Sequence, residues 1–176
     1  MKRLLFLSPV IILAIALVAL ALGLKRDPSK IPSTLIDRPL PEFALPGVYE
    51  GSPGFGSADL TGEPRLMNIF ASWCTACRIE HPMLMQLRGQ GVPIYGLDWK
   101  DKPADGARWL RTNGDPYLAA ANDENGRVGI DLGVTGVPET FVIDRAGRVR
   151  YKHIGPISPD DWRDTLQPLF QKLRSE

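Results

Sequence analysis

Apolar residues fall in blocks whose period changes along the chain. From Leu4 to Leu24 there are 21 residues without a charge, and at about 1.5 Å per residue a helix of that length spans roughly the 30 Å hydrocarbon core of a bilayer. The block predicts an N-terminal signal-anchor or transmembrane helix over residues 1–24. Ala19-Leu20-Ala21 has the small-x-small form of a cleavage site, so a removed signal peptide is the competing reading, although the apolar region of such peptides is usually shorter. Lys2 and Arg3 favour a cytoplasmic N-terminus, while Lys25 and Arg26 weaken the asymmetry.

Residues 25–35 read as a tether, because the stretch up to Pro41 is polar and carries Pro28, Pro32, Pro39 and Pro41. Residues 36–176 are expected to form one folded domain. Pro41 to Leu45 predicts a short strand and Pro46 to Gly56 turns or a hairpin. Leu66 to Ala71 is a nearly continuous apolar run, as in a central strand buried on both faces. Thr75 to Gln90 has helical spacing, with Ala76, Ile79, Met83 and Leu87 as its inward stripe, Pro82 as a kink, and Gly89 and Gly91 as its end. Val92 to Leu97 supplies the next strand, which makes residues 66–97 a right-handed βαβ unit in a parallel sheet.

Further on, the pattern predicts a helix over Ala104–Thr112, a strand over Tyr117–Ala120 and a weak helix over Gly126–Leu132 stopped by Gly133. Thr140–Ile143 and Arg148–His153 read as a hairpin around Asp144-Arg145-Ala146-Gly147. Ser158-Pro159-Asp160-Asp161 caps a last helix that buries Trp162, Leu166, Leu169, Phe170 and Leu173.

Charge changes little in this picture. The net charge of the 176 residues is +1, which is no nucleic-acid footprint. The cysteines change more. There are only two, Cys74 and Cys77, directly after the apolar run and at the start of the predicted helix. A disulfide between them closes so small a ring that it stabilises by at most about 2 kcal/mol. Its position favours a reversible dithiol over a structural bridge or a metal site. The free amides and dipole of a helix N-terminus lower a thiol pKa, so Cys74 is the expected nucleophile. Cys77, one turn further in, is placed to resolve the mixed disulfide. If the N-terminus is cytoplasmic, both cysteines face a compartment where disulfides persist.

The strand, the Trp-Cys-x-x-Cys helix start, the Pro inside that helix and the later Val137-Pro138-Glu139-Thr140 resemble the thioredoxin superfamily over roughly Ile36 to Leu173. The resemblance implies a thioredoxin-like α/β fold, a central mixed sheet flanked by helices. It implies a cis Pro138 beside the cysteines, with the Val137 backbone pairing with the substrate chain. A Trp is more often a packing residue than a contact, but the place of Trp73 beside Cys74 suits it to shape the docking surface. Trp73-Cys74-Thr75-Ala76-Cys77-Arg78-Ile79-Glu80-His81, Lys100-Asp101, the Gly133 to Phe141 segment and Tyr151-Lys152-His153-Ile154-Gly155 are similar, more narrowly, to the CcmG/DsbE family. That family implies a thiol:disulfide interchange protein of cytochrome c maturation, anchored in the bacterial inner membrane with its catalytic domain in the periplasm. It would reduce apocytochrome c or its partner thiol protein and draw electrons from a membrane thiol electron transporter, with no cofactor beyond its redox-active disulfide. The family also places acids near the dithiol at the positions of Glu80 and Glu139, where they could handle the proton of Cys77. Solvated surface roles are the plainer reading of both.

Two departures bear on the chemistry. Thr75 and Ala76 stand between the cysteines where the family usually has a Pro at one position, which leaves the redox potential open. Asp98 stands before Trp99-Lys100-Asp101 where an Asn is frequent, and so adds an acid. Three other readings remain. One is a general extracytoplasmic thiol reductase of the same fold. Another is a copper-binding or copper-delivery protein on that scaffold. The third joins His81 and His153 to the cysteines as zinc ligands, although the two histidines are 72 positions apart.

Overall fold

The structure, a computed structural model, describes residues 9, 12–18, 20 and 33–176. Most of the expected anchor and tether lies outside the described residues. Residues 12–18 are helical and exposed, and among the described residues no helix is long and apolar enough to cross a membrane.

Five strands form the central sheet: β3 (Arg65–Phe70), β4 (Ile94–Trp99), β5 (Ala119–Asp123), β6 (Glu139–Ile143) and β7 (Val149–Ile154), in the order β5-β4-β3-β6-β7. β3, β4 and β5 run parallel, while β6 and β7 pair antiparallel, so the sheet is mixed. A separate small hairpin pairs β1 (Ala44–Leu45) with β2 (Phe55–Gly56). The helices are α1 (Thr75–Gly89), α2 (Pro103–Asn113), α3 (Arg127–Asp131), α4 (Pro159–Asp161) and α5 (Gln167–Ser175).

Alternation along the strands divides the core in two. Leu66, Phe70, Ile94 and Val142 face a cluster containing Cys74, Cys77, Leu84, Leu87, Leu110 and Phe170. Met67, Ile69, Leu97, Phe141 and Ile143 face a second cluster with Phe55, Leu60 and Leu132. The dithiol therefore belongs to one side of the sheet.

The expected stripe of α1 is wrong at its centre. Ile79 is 71% exposed, Ala76 and Met83 are only partly buried, and the buried residues are Cys77, Glu80, His81, Leu84 and Leu87. The true inward face contains two polar residues with dedicated partners, which a search for apolar periodicity passes over. The helix runs on through Pro82 to Gly89. β5 begins later than expected: Asp115 accepts the Tyr117 amide at 2.9 Å and the Tyr117 ring stacks on Phe70, so Tyr117 belongs to the turn.

Ser158 and Asp161 form a reciprocal capping box at the start of α4. The chain then passes through a π-turn over Trp162–Leu166, where the Gln167 amide reaches the Trp162 carbonyl. Pro168 follows and has no N–H to donate, which fits a local departure from the ordinary ladder.

Candidate active site

β3 delivers the chain to Ala71-Ser72-Trp73, and Cys74 is the N-cap of α1. The Cys77 amide donates to Cys74 Sγ at 2.9 Å, so a sulfur stands where a capping oxygen usually does. Cys74 and Cys77 are joined as a disulfide and both are buried. The helix start offers its free amides to Cys74, which favours a thiolate there once the bond is reduced.

From the other side, the turn before β6 meets the disulfide. The Val137–Pro138 peptide bond is cis, and the Val137 carbonyl oxygen lies 3.5 Å from Cys74 Sγ. Trp73 is 57% exposed and donates through Nε1 to the Lys100 carbonyl at 3.1 Å. Cys74, Trp73, Val137 and Pro138 thus meet in one place.

Glu80 is not a solvated helix residue. It is 1% exposed, with Oε1 accepting from Asn68 Nδ2 at 2.7 Å and Oε2 from the Ile157 amide at 2.9 Å. Asn68 also donates to Thr140 Oγ1 at 3.0 Å and accepts from the Tyr117 hydroxyl at 2.8 Å. Burial pushes the Glu80 carboxyl up to about 7, against the pull of these two donors. Glu80 follows Cys77 by three residues on the same buried face, and borders a cleft with Ile79, Met83, Pro156 and Ile157. Tyr117 and Ile157 carry no mark of this role in the sequence. Asn68 was the one with a signal, as the polar member of an apolar strand.

Glu139 is not a surface strand residue either. It is fully buried, but it pairs with Ile69 and shares the face of Phe141, opposite the face on which Thr140 and Asn68 meet Glu80. The Thr135 amide donates to it at 3.0 Å, and Lys152 Nζ stands 2.9 Å away as an ion contact, with the Lys152 side chain 5% exposed. Lys152 also donates to the Gly133 carbonyl at 2.7 Å. The two residues tie down the turn that carries Val137 and Pro138.

Asp98 is buried at the end of β4, where Oδ2 accepts from Asn122 Nδ2 at 3.0 Å. His81 and His153 have separate partners: His81 packs edge-on to Trp109 with Nε2 at the Asn113 carbonyl, and His153 lies near Asp161. Among the described residues no three His, Cys, Asp or Glu side chains gather as a metal would need.

Residues 36–167 match the redoxin family. Over its full length the chain is 45% identical to the thiol:disulfide interchange protein DsbE of Pseudomonas aeruginosa, covering 98% of that protein. It is 40% identical to the protein of the same name from Escherichia coli, again over 100% of this chain and 98% of the relative. A Chlorobium tepidum crystal structure assigned as a thiol:disulfide interchange protein DsbE superposes with a TM-score of 0.64 at 28% identity, covering 77% of this chain and 95% of that one.

Proposed function

Because the chain belongs to the redoxin family, as a DsbE-type thiol:disulfide interchange protein, we propose that it reduces disulfides of apocytochrome c, or of its partner thiol protein, from an anchor in the bacterial inner membrane. Thiol-disulfide oxidoreductase activity follows from the family and the cysteine pair. The substrate, the reductant direction, the periplasmic face and the retained anchor are the proposed part. Their support is the set of motifs shared with the cytochrome c maturation branch and the uncharged Leu4 to Leu24 block.

The carrying observation is Cys74 at the helix start with the Val137 carbonyl 3.5 Å from its sulfur. In the reduced protein the Cys74 thiolate attacks one sulfur of the partner disulfide, and the other leaves as a thiolate. The Val137 backbone holds the partner chain across the cysteine while the mixed disulfide exists. Cys77 then gives its proton to Glu80 and attacks Cys74 Sγ, closing the Cys74–Cys77 bond and releasing the partner's second thiolate. Two electrons pass to the partner. An external membrane thiol electron transporter returns them to the disulfide, since in an oxidising compartment an unsupplied dithiol drifts to disulfide. A carboxyl near neutrality is suited to take the Cys77 proton, because proton exchange is most effective when the pKa lies close to the working pH.

A Cys77→Ser variant in its native membrane should trap a mixed disulfide with apocytochrome c or its partner thiol protein, identified by mass spectrometry of the released partner. Trapping only unrelated secreted thiol proteins would instead make the chain a general reductase. Retaining one copper per chain without exchanging disulfides would overturn the oxidoreductase reading altogether. The anchor is tested on the same membranes: an intact N-terminus is expected, and a mature chain beginning near Leu22 would remove it.

A further inference from the structure

The strap before Cys74 is held by the loop after β4. Asp101 Oδ2 accepts the Ser72 amide at 2.6 Å, and Oδ1 accepts the Lys102 amide at 2.9 Å. Lys100 sits at φ 52°, a left-handed conformation rare for a side chain of its kind, and its carbonyl receives the Trp73 indole. Asn122 Nδ2 donates at 3.0 Å to the Asp101 carbonyl and at 3.0 Å to Asp98 Oδ2, so one amide joins the loop to the buried acid. Asp98 has little room to move. A Cβ on Gly106 of α2 would lie 2.0 Å from its Oδ2; its Oδ1 receives no N–H donor, and its carboxyl is hydrogen-bonded to that of Asp101.

The groups acting on Asp98 are all neutral or acidic. Asp101 faces it from the loop and Asp105 from α2, while Asn122 bonds it from β5. Tyr117, whose hydroxyl binds Asn68, feels both Asp98 and Glu80. Among the described residues no lysine or arginine acts on it. A carboxylate buried there would stand uncompensated next to the Asp101 charge, so Asp98 keeps its proton, its pKa pushed up to about 8 by burial first and by Asp101 second.

We infer that Asp98 is a positioning residue for disulfide exchange: protonated, it shares its proton with Asp101 and fixes the loop that holds Ser72 and Trp73 ahead of Cys74; ionised, it repels Asp101 and loosens that hold. The inference deepens the oxidoreductase reading and rests on it for its consequence. It assigns a task to the buried acid at the end of β4, and an Asn placed there would be the permanently closed form of the same device.

The test uses the full chain in detergent micelles, oxidised so that neither cysteine titrates, and follows the Trp73 indole N–H and the Ser72 amide by nuclear magnetic resonance from pH 6 to 9.5. Wild type should show one common transition with a midpoint near 8. Asp98→Asn should lose it, since the amide offers Asp101 a donor that never ionises, and Glu80→Gln should keep it. Asp101→Asn, which removes the repelling charge, should bring the midpoint down by about one pH unit or more. In the reduced protein, the rate of exchange with a small disulfide should fall across the same transition in wild type but not in Asp98→Asn. The inference is overturned by a transition that persists in Asp98→Asn, by one that vanishes in Glu80→Gln, or by a midpoint unmoved in Asp101→Asn. The Asp101→Asn arm decides the matter if Asp98→Asn fails to fold. The resonances report on the loop whatever the physiological partner is, so failure of the substrate assignment leaves this result standing.

Discussion

Glu80 and Glu139 are two fully enclosed glutamates, one on each face of the same sheet, and the protein treats them in opposite ways. Glu139 is matched by the Lys152 ammonium 2.9 Å away and secures the turn before β6. Glu80 has only neutral donors, an amide side chain and a backbone amide, and its carboxyl is displaced to about 7. A cation beside a buried acid holds a fixed charge in place, whereas dipoles alone leave a proton that can come and go near neutrality. The second condition suits an acid that exchanges a proton, and the first suits an anchor for the turn that carries Val137 and Pro138.

The most damaging way to break the contrast is to remove the cation. Lys152→Met leaves Glu139 buried without its counter-charge, and removing one partner of such a pair costs about 3–5 kcal/mol. Chemical denaturation at pH 7 should show that loss, and adding Glu139→Gln should restore most of it. A loss below about 1 kcal/mol in the single variant would mean that Glu139 does not depend on its ion contact.

Glu80→Gln should act through pH. The Glu80 carboxyl lies above its ordinary 4.5 in the folded chain, so folding takes up a proton between pH 4.5 and about 7. Its contribution is full below pH 4.5 and is lost as the pH rises through about 7, by up to about 3 kcal/mol in all. The variant should flatten stability over that window, and resolution of the mixed disulfide by Cys77 should slow by about 10²-fold at pH 7. An unchanged pH profile of resolution would take Glu80 out of the proton path.

The unequal legibility of these acids has a physical cause. The Leu66 to Ala71 run, the Cys74 helix start and the Ser158-Pro159 cap are local patterns, and the strand, helix and capping box all form where the residues place them. Glu80 and Glu139 were visible as acids near a dithiol, but their burial was not, because what makes it tolerable lies far along the chain. Asn68 meets Tyr117 and Thr140 across the sheet, and Lys152 reaches Glu139 from β7, a strand whose register shifts by a bulge between Val142 and Ile143. The stripe of α1 failed for the same reason. Periodicity puts apolar Ile79 inside, whereas the fold exposes it and buries Glu80 and His81, whose partners come from β3, the Ile157 turn and α2.

The finest test asks whether the Glu80 cluster behaves as one unit or as separate bonds. Thr140 Oγ1 accepts from Asn68 Nδ2 but does not touch Glu80. Thr140→Val removes that acceptor at nearly constant shape, and Asn68 retains Glu80 as a partner for the same Nδ2, so the loss should be about 1 kcal/mol. If the bonds are independent, the pH midpoint of stability stays near 7 and only the plateau falls. A midpoint that moves with Thr140→Val would show that Asn68 transmits strain or polarisation from β6 to the Glu80 carboxyl. The carboxyl proposed to take the Cys77 proton would then be tuned from β6, the strand that follows Pro138, and the contrast between the two faces would give way to a single network joining the Val137–Pro138 turn to Cys77.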